Sequence, residues 1–327
     1  MAKVVVITGG TAGIGRATAR YFARQGFTVA LLARGQERLE ATAREVEEAG
    51  GEALAIPVDV ADWDQVERAA DAVMDRFGRI DIWVNNAFAG IFSPFLDMSM
   101  DEYRRVTDVT YLGQVHGTRA ALKHMAPADR GCIVLVGSAL AYRGIPLQSA
   151  YCAAKHAIQG FQDSVRCELL ASRSKVRLTM VQLPGVNTPQ FDWIRARCDH
   201  EPRPVGTVYQ PEVAARAIWK AAHSRRKQWI VGLPAHQAII GDKLISPLLD
   251  RYLARTAIEG QQDERRVEPD RKDNLFEPLP RDPQAHGRFD EGARRRSFTL
   301  LASERRGWLA ALAAVSVGVA VAAARRR

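Results

Sequence analysis

Short apolar runs recur along the first 230 residues, separated by amphipathic stretches of helical length. Val4–Ile7, Thr28–Ala33, Ala53–Val58, Ile80–Asn85, Ile133–Val136 and Arg177–Leu183 read as strands, and Gln228–Val231 as a seventh. Helical periodicity fills the gaps, from Ile14 to about Arg24, over Glu37–Glu48, from Tyr151 through Leu170 and from Pro211 onward. Strands apolar on both faces and spaced by helices predict an α/β domain, a doubly wound parallel sheet covered on both sides. Ligands are then expected beyond the carboxyl ends of the strands.

The pattern changes after Thr256. Residues 257–304 carry few large apolar side chains, several Pro and Gly, and dense charge of both signs. This predicts a flexible linker following a catalytic domain of residues 1–256. The uncharged run Gly307–Ala324 lies between Arg305–Arg306 and Arg325–Arg327. Within a tail of residues 305–327, its hydropathy predicts a C-terminal membrane anchor, at the short end for a bilayer span. An oligomerising helix is the alternative, since its small residues allow close approach.

Composition refines this picture in two places. The net charge of +9 is concentrated in the tail, where eight arginines face one acid from residue 294 onward, leaving about +2 for the rest. The body therefore offers no basic face for a nucleic acid. Four cysteines (Cys132, Cys152, Cys167 and Cys198) form no CxxC pair, and no secretory leader precedes the first strand. A cytoplasmic catalytic domain with reduced thiols, tethered to a membrane by its tail, is the expectation. The seven histidines show no ligand spacing, and no metal site is expected.

Thr8-Gly9-Gly10-Thr11-Ala12-Gly13-Ile14-Gly15 joins the first strand to the first helix. Glycines there let the backbone turn and approach a pyrophosphate at the helix N-terminus. The second strand ends Ala33-Arg34, with no acid to hold a ribose 2′-hydroxyl and an arginine suited to a 2′-phosphate. NADP(H) is favoured over NAD(H) on that ground. Asp59-Val60 stands where an adenine would lie, and Asn86-Ala87 where the chain can brace a cofactor.

Tyr151 and Lys155 share one helical face four residues apart, so a cation stands beside a phenol whose free pKa is near ~10. A neighbouring cation favours the phenolate, making the pair an acid/base unit. Ser138, after the strand Ile133–Val136, can donate to a substrate carbonyl oxygen.

Together with Pro184-Gly185-Val186-Asn187-Thr188, these motifs resemble the short-chain dehydrogenase/reductase family over about residues 3 to 250. The resemblance implies a Rossmann-like fold and hydride transfer between an NADP(H) nicotinamide and an alcohol/carbonyl pair. Tyr151 would be the acid/base and Ser138 the carbonyl positioner. Lys155 would also hold the nicotinamide ribose, and Pro184, Gly185, Val186 and Thr188 would lie against the carboxamide region. Thr8, Gly9, Thr11, Gly13, Ile14 and Gly15 would form the phosphate loop. A homodimer or homotetramer built on the Tyr151 helix is implied as well. Two positions depart from the family pattern: Phe88 replaces the glycine of Asn-Asn-Ala-Gly, and Thr110 stands where an asparagine usually orders a relay water. The threonine hydroxyl can still hold a water, so activity is expected, and the relay is what this departure puts in question.

The substrate side reads as apolar, with Phe88, Phe92 and Phe95 after the fourth strand. Phe191, Trp193 and Ile194 lie in a long segment from Val186 to Tyr209, expected to be a mobile lid. A small lipophilic alcohol or carbonyl is the expected partner. A non-catalytic NADP(H)-binding regulator or membrane scaffold is the competing reading; retention of Tyr151, Lys155 and Ser138 disfavours it.

Overall fold

The computed structural model describes residues 2–280, 282 and 284–305; the apolar run 307–324 lies outside them. In chain order the elements begin β1 (Val4–Thr8), α1 (Gly13–Ala23), β2 (Thr28–Ala33), α2 (Gln36–Glu48), β3 (Ala53–Pro57) and α3 (Trp63–Phe77). They continue β4 (Ile82–Asn85), β5 (Ile91–Phe92), α4 (Met100–Thr107), a π-turn (Asp108–Leu112), α5 (Gly113–Met125), β6 (Cys132–Val136) and α6 (Ser149–Ala171). The remainder is β7 (Arg177–Gln182), β8 (Arg195–Ala196), β9 (His200–Pro202), α7 (Pro211–Ala222), β10 (Gln228–Ile230), α8 (Leu233–Gly260), β11 (Gln262–Arg266) and α9 (Phe298–Glu304).

All seven expected strands form one sheet in the order β10-β7-β6-β4-β1-β2-β3, and every pairing is parallel. Alternation within a strand divides the core into two layers. Val5 and Ile7 of β1 face the layer of α1, α2 and α7. Val4 and Val6 face the layer of α3, α5 and α6. Strand order reverses between β1 and β4, and this places a crevice at their carboxyl ends. A carboxylate at Asp62 caps α3 by accepting from Gln65 N at 3.1 Å, and Ser99 with Glu102 forms a capping box on α4.

The C-terminal third differs from the expected flexible linker. Helix α8 runs to Gly260, bent at Ile245 two residues before Pro247. Strand β11 pairs antiparallel with β9, and α9 packs on β10 with Leu300 buried in the main core. Between β11 and α9 the chain crosses the body as an ordered strap, anchored by the buried side chains of Leu275 and Ala285. Several of its charges are paired with the body. Arg271 bonds Glu201 at 2.5 Å and Arg288 bonds Asp192 at 2.5 Å, while Asp282 pairs with Arg16 and Glu304 with Arg216 at 2.6 Å. Few apolar residues are needed because arginines supply the attachment. Among the described residues no helix is long and apolar enough to cross a membrane.

Candidate active site

A cavity of about 510 Å³ opens at the crevice. Gly9, Thr11, Gly13, Ile14, Arg34, Asp59, Val60, Asn86, Ala87, Ser138, Tyr151, Lys155, Pro184, Gly185, Val186 and Thr188 all line it. Thr8 and Gly15 do not; they build the loop. The Thr8 hydroxyl accepts from the main-chain N–H groups of Asn86 at 2.9 Å and Ala87 at 3.1 Å. The Asn86 amide donates back to the carbonyls of Thr8 and Gly9, both at 3.1 Å. Asn86 thus holds the glycine loop against β4. Gly9 takes φ +63°, and a Cβ at Gly15 would collide with the Gly9 carbonyl. Close backbone packing of this kind brings main-chain N–H groups to the start of α1, where they suit a pyrophosphate.

At the far end, the Asp59 carboxylate is held in place: its oxygens accept from Ala61 N at 3.0 Å and Arg105 Nη2 at 2.6 Å. Arg34 lies beside Arg105, and burial followed by that neighbouring charge lowers its pKa. Its guanidinium donates to the carbonyls of Asn274 and Phe276, each at 2.5 Å. Arg38, one helical turn on, donates to the Leu279 carbonyl and lies over the Trp193 ring at 5.4 Å. The sequence reading passed over Arg38; its spacing of four from Arg34 at the start of α2 was the available signal.

At the catalytic end, α6 places Tyr151 in its first turn and Lys155 in the next, as the spacing requires. Lys155 is 2% exposed. Its Nζ donates to the Val136 carbonyl at 2.7 Å and stands 5.6 Å from the centre of the Tyr151 ring. Burial pushes its pKa down to about 7. The Tyr151 phenol is pushed upward by burial, and a hydrogen bond from Ser138 pulls it partway back. Burial therefore outweighs the other influences on both groups, because dry surroundings penalise both charged forms. Ser138 accepts from Leu140 N at 3.1 Å, leaving its own proton to donate.

Thr110 stands behind the cavity rather than on its wall. Fully buried in the π-turn, its hydroxyl donates to the Ala89 carbonyl at 2.8 Å and accepts from Ala89 N at 2.9 Å. It is absent from the cavity wall, and its two bonds staple the loop after β4 to the π-turn.

Phe88, Phe92, Phe191, Trp193 and Ile194 line the cavity. Phe88 meets the Tyr151 ring edge-on, with centroids 5.9 Å apart. Phe95 does not belong to this wall: it is 58% exposed and packs on Tyr103. Nor is the Val186–Tyr209 segment a free lid, since β8 pairs with β5 and the Phe92–Phe191–Ile194 cluster seals the contact. Helix α8 adds Pro234, Gln237, Leu249 and Tyr252 to the wall. Arg143, also lining the cavity, fastens α8 by bonds to Asp242 at 3.1 Å and Ser246 at 3.0 Å. Nothing in the α8 sequence alone announced this role.

A parallel sheet with a glycine loop at its switch point and a Ser–Tyr–Lys cluster across the same cavity defines an oxidoreductase of the short-chain type. The chain belongs to the short-chain dehydrogenase family, whose model ("short chain dehydrogenase") matches residues 3–198. It is 32% identical to Uncharacterized oxidoreductase YxnA of Bacillus subtilis (strain 168), over 99% of this chain and 91% of that protein. It is 36% identical to 3beta-hydroxysteroid dehydrogenase 1 of Eggerthella lenta, over 67% of this chain and 87% of that protein. Among solved structures, the alcohol dehydrogenase of Thermococcus sibiricus complexed with 5-hydroxy-NADP is 28% identical with a TM-score of 0.60. That likeness covers 71% of this chain and 96% of the other, so more than a quarter of this chain has no counterpart there.

Proposed function

We propose that the protein is an NADP(H)-dependent oxidoreductase that interconverts a lipophilic alcohol and its carbonyl. The observation that carries this reading is the convergence of Ser138, Tyr151 and Lys155 with the glycine loop and Arg34 on a single cavity. The residues fit the cofactor: the loop tolerates no Cβ at Gly9 or Gly15, which leaves backbone at the surface a pyrophosphate would meet. Arg34 and Arg38 supply positive charge at the adenosine end. The NADP-type ligand of the Thermococcus neighbour supports the same choice.

A bound nicotinamide supplies or accepts the hydride. The chain's own residues handle the oxygen. Ser138 donates to the substrate oxygen and positions it. With its pKa raised, Tyr151 is fully protonated at neutral pH, which suits it to donate a proton to the oxygen during reduction. Lys155, titrating at about 7, is poised to gain a proton and then to favour the phenolate left behind. The aromatic wall and the hydroxysteroid dehydrogenase relative support a lipophilic substrate. The uncharged run 307–324 between arginines supports attachment of the full chain to a membrane, which co-flotation with lipid vesicles would test. A homodimer or homotetramer through α6 is proposed on the family likeness, with sedimentation as its test.

The experiment is turnover of NADPH and of NADH by the full chain against carbonyls of graded hydrophobicity, with Tyr151→Phe as control. NADPH-linked turnover that rises with hydrophobicity and disappears in the variant supports the proposal. Tight NADPH binding with no turnover on any substrate would favour a non-catalytic binding protein.

A further inference from the structure

The strap between β11 and α9 follows the cofactor groove from end to end. Three arginines from separate elements donate to its main-chain carbonyls. Arg34 takes Asn274 and Phe276 at 2.5 Å each, Arg105 takes Leu275 at 3.1 Å, and Arg38 takes Leu279. Leu275 itself is buried among Ile91, Met98, Val106 and Ala150. Farther on, Asp282 accepts from Arg16 of α1, whose guanidinium also binds Glu45. The Gly13 N–H of the phosphate loop donates to the Gln284 carbonyl at 3.2 Å. Gly287 lies so close to the Thr188 carbonyl that a Cβ there would collide with it. Asp290 then accepts from Asn187 Nδ2 at 2.8 Å. In order, the strap touches the adenosine end, the glycine loop and the Pro184–Thr188 segment. Asn274, Leu275 and Pro278 line the same cavity as Gly9, Tyr151 and Lys155.

We infer that this C-terminal strap is a working part of the dinucleotide site, forming its outer wall, so that the dinucleotide enters and leaves only when the strap swings off. The inference rests on the NADP(H) reading above. The strap's carbonyls also fix where the Arg34 guanidinium points, so a residue that grips the cofactor is itself set by the tail. Opening requires several charge-assisted hydrogen bonds to break together, while the ligand beneath is held by contacts on both sides. A closed strap therefore slows association and dissociation alike.

The test uses the full chain with NADPH as the probe. Hydrogen exchange is followed in residues 271–280 and 284–290, and NADPH binding and release are followed by energy transfer from tryptophan. Two variants loosen the strap by unrelated means. Asp282→Ala removes a latch while Arg16 keeps Glu45, and Gly287→Ala pushes the strap from Thr188. NADPH is expected to slow exchange in the strap. Asp282→Ala is expected to raise the dissociation rate about tenfold, the worth of one charge-assisted hydrogen bond, and Gly287→Ala to raise it as well, with the association rate rising alongside in both. Unchanged rates in both variants, or faster strap exchange on adding NADPH, would overturn the strap's role and leave the cofactor reading intact. No binding of NADPH to the folded wild-type chain would overturn the cofactor reading and this inference with it.

Discussion

Replacing Lys155 with methionine separates function from stability. The ammonium is 2% exposed; its one hydrogen bond is to the Val136 carbonyl at 2.7 Å, and burial lowers its pKa from 10.5 to about 7. A shift of roughly 3.5 units corresponds to a penalty of about 5 kcal/mol for the fully protonated amine, and about 4 at pH 7 where half the folded protein carries it neutral. Methionine removes that penalty and fills nearly the same volume. The Val136 carbonyl is not orphaned, since Gln114 Nε2 also donates to it at 3.1 Å. Allowing ~1–2 kcal/mol for the lost hydrogen bond, Lys155→Met without cofactor is expected to be about 2 kcal/mol more stable at pH 7. The sign with pH follows from proton counting. Between about 7 and 10.5 the unfolded chain binds more protons at this lysine than the folded one, so wild-type stability rises with pH. The advantage of methionine should shrink by about 2 kcal/mol between pH 7 and 9. Denaturant titrations of both proteins at the two pH values measure this directly, alongside loss of turnover of about 100-fold or more. A variant less stable than wild type at pH 7, or a stability gap that ignores pH, would refute the reasoning.

Other consequences follow from the same geometry. Ser138→Ala should lower kcat by about 10- to 1000-fold with NADPH affinity nearly unchanged, as read by fluorescence titration. Arg34→Ala should raise the KM for NADPH by about 10-fold or more while leaving that for NADH within about 3-fold, measured by steady-state kinetics. Thr110→Val leaves both the N–H and the carbonyl of half-buried Ala89 without their fully buried Thr110 partner; a loss of about 2 kcal/mol in a denaturant titration is expected. Gly15→Ala forces the first turn of α1 off the Gly9 carbonyl, and should abolish NADPH binding in a titration that still finds a folded protein.

The sheet was legible because its inner strands are buried on both faces, a pattern that survives without any tertiary information. Tyr151, Lys155 and Ser138 were legible because their chemistry depends on fixed spacing along one helix and one strand end. The strap was not. Its attachments run from side-chain arginines to main-chain carbonyls, and a carbonyl looks the same in every residue. Dense charge of both signs reads as solvated in one dimension, while here Arg271–Glu201 and Arg288–Asp192 close on each other across long sequence distances. The Thr110 staple is hidden from the sequence for a related reason: its partner is the backbone of Ala89, twenty-one residues away. Phe95 falls outside the pocket because the short 3₁₀ turn Phe95–Asp97 directs it to Tyr103 and solvent.

Tyr151 and a nicotinamide cofactor are proposed to act together on one carbonyl in this cavity. The most direct test is to incubate the full chain with NADPH deuterated at the nicotinamide C4 and a hydrophobic ketone, then examine the product alcohol by mass spectrometry. Deuterium is expected at the carbinol carbon with wild type and essentially none with Tyr151→Phe, although the variant still binds NADPH. Deuterium transfer undiminished in the variant would contradict this proposal.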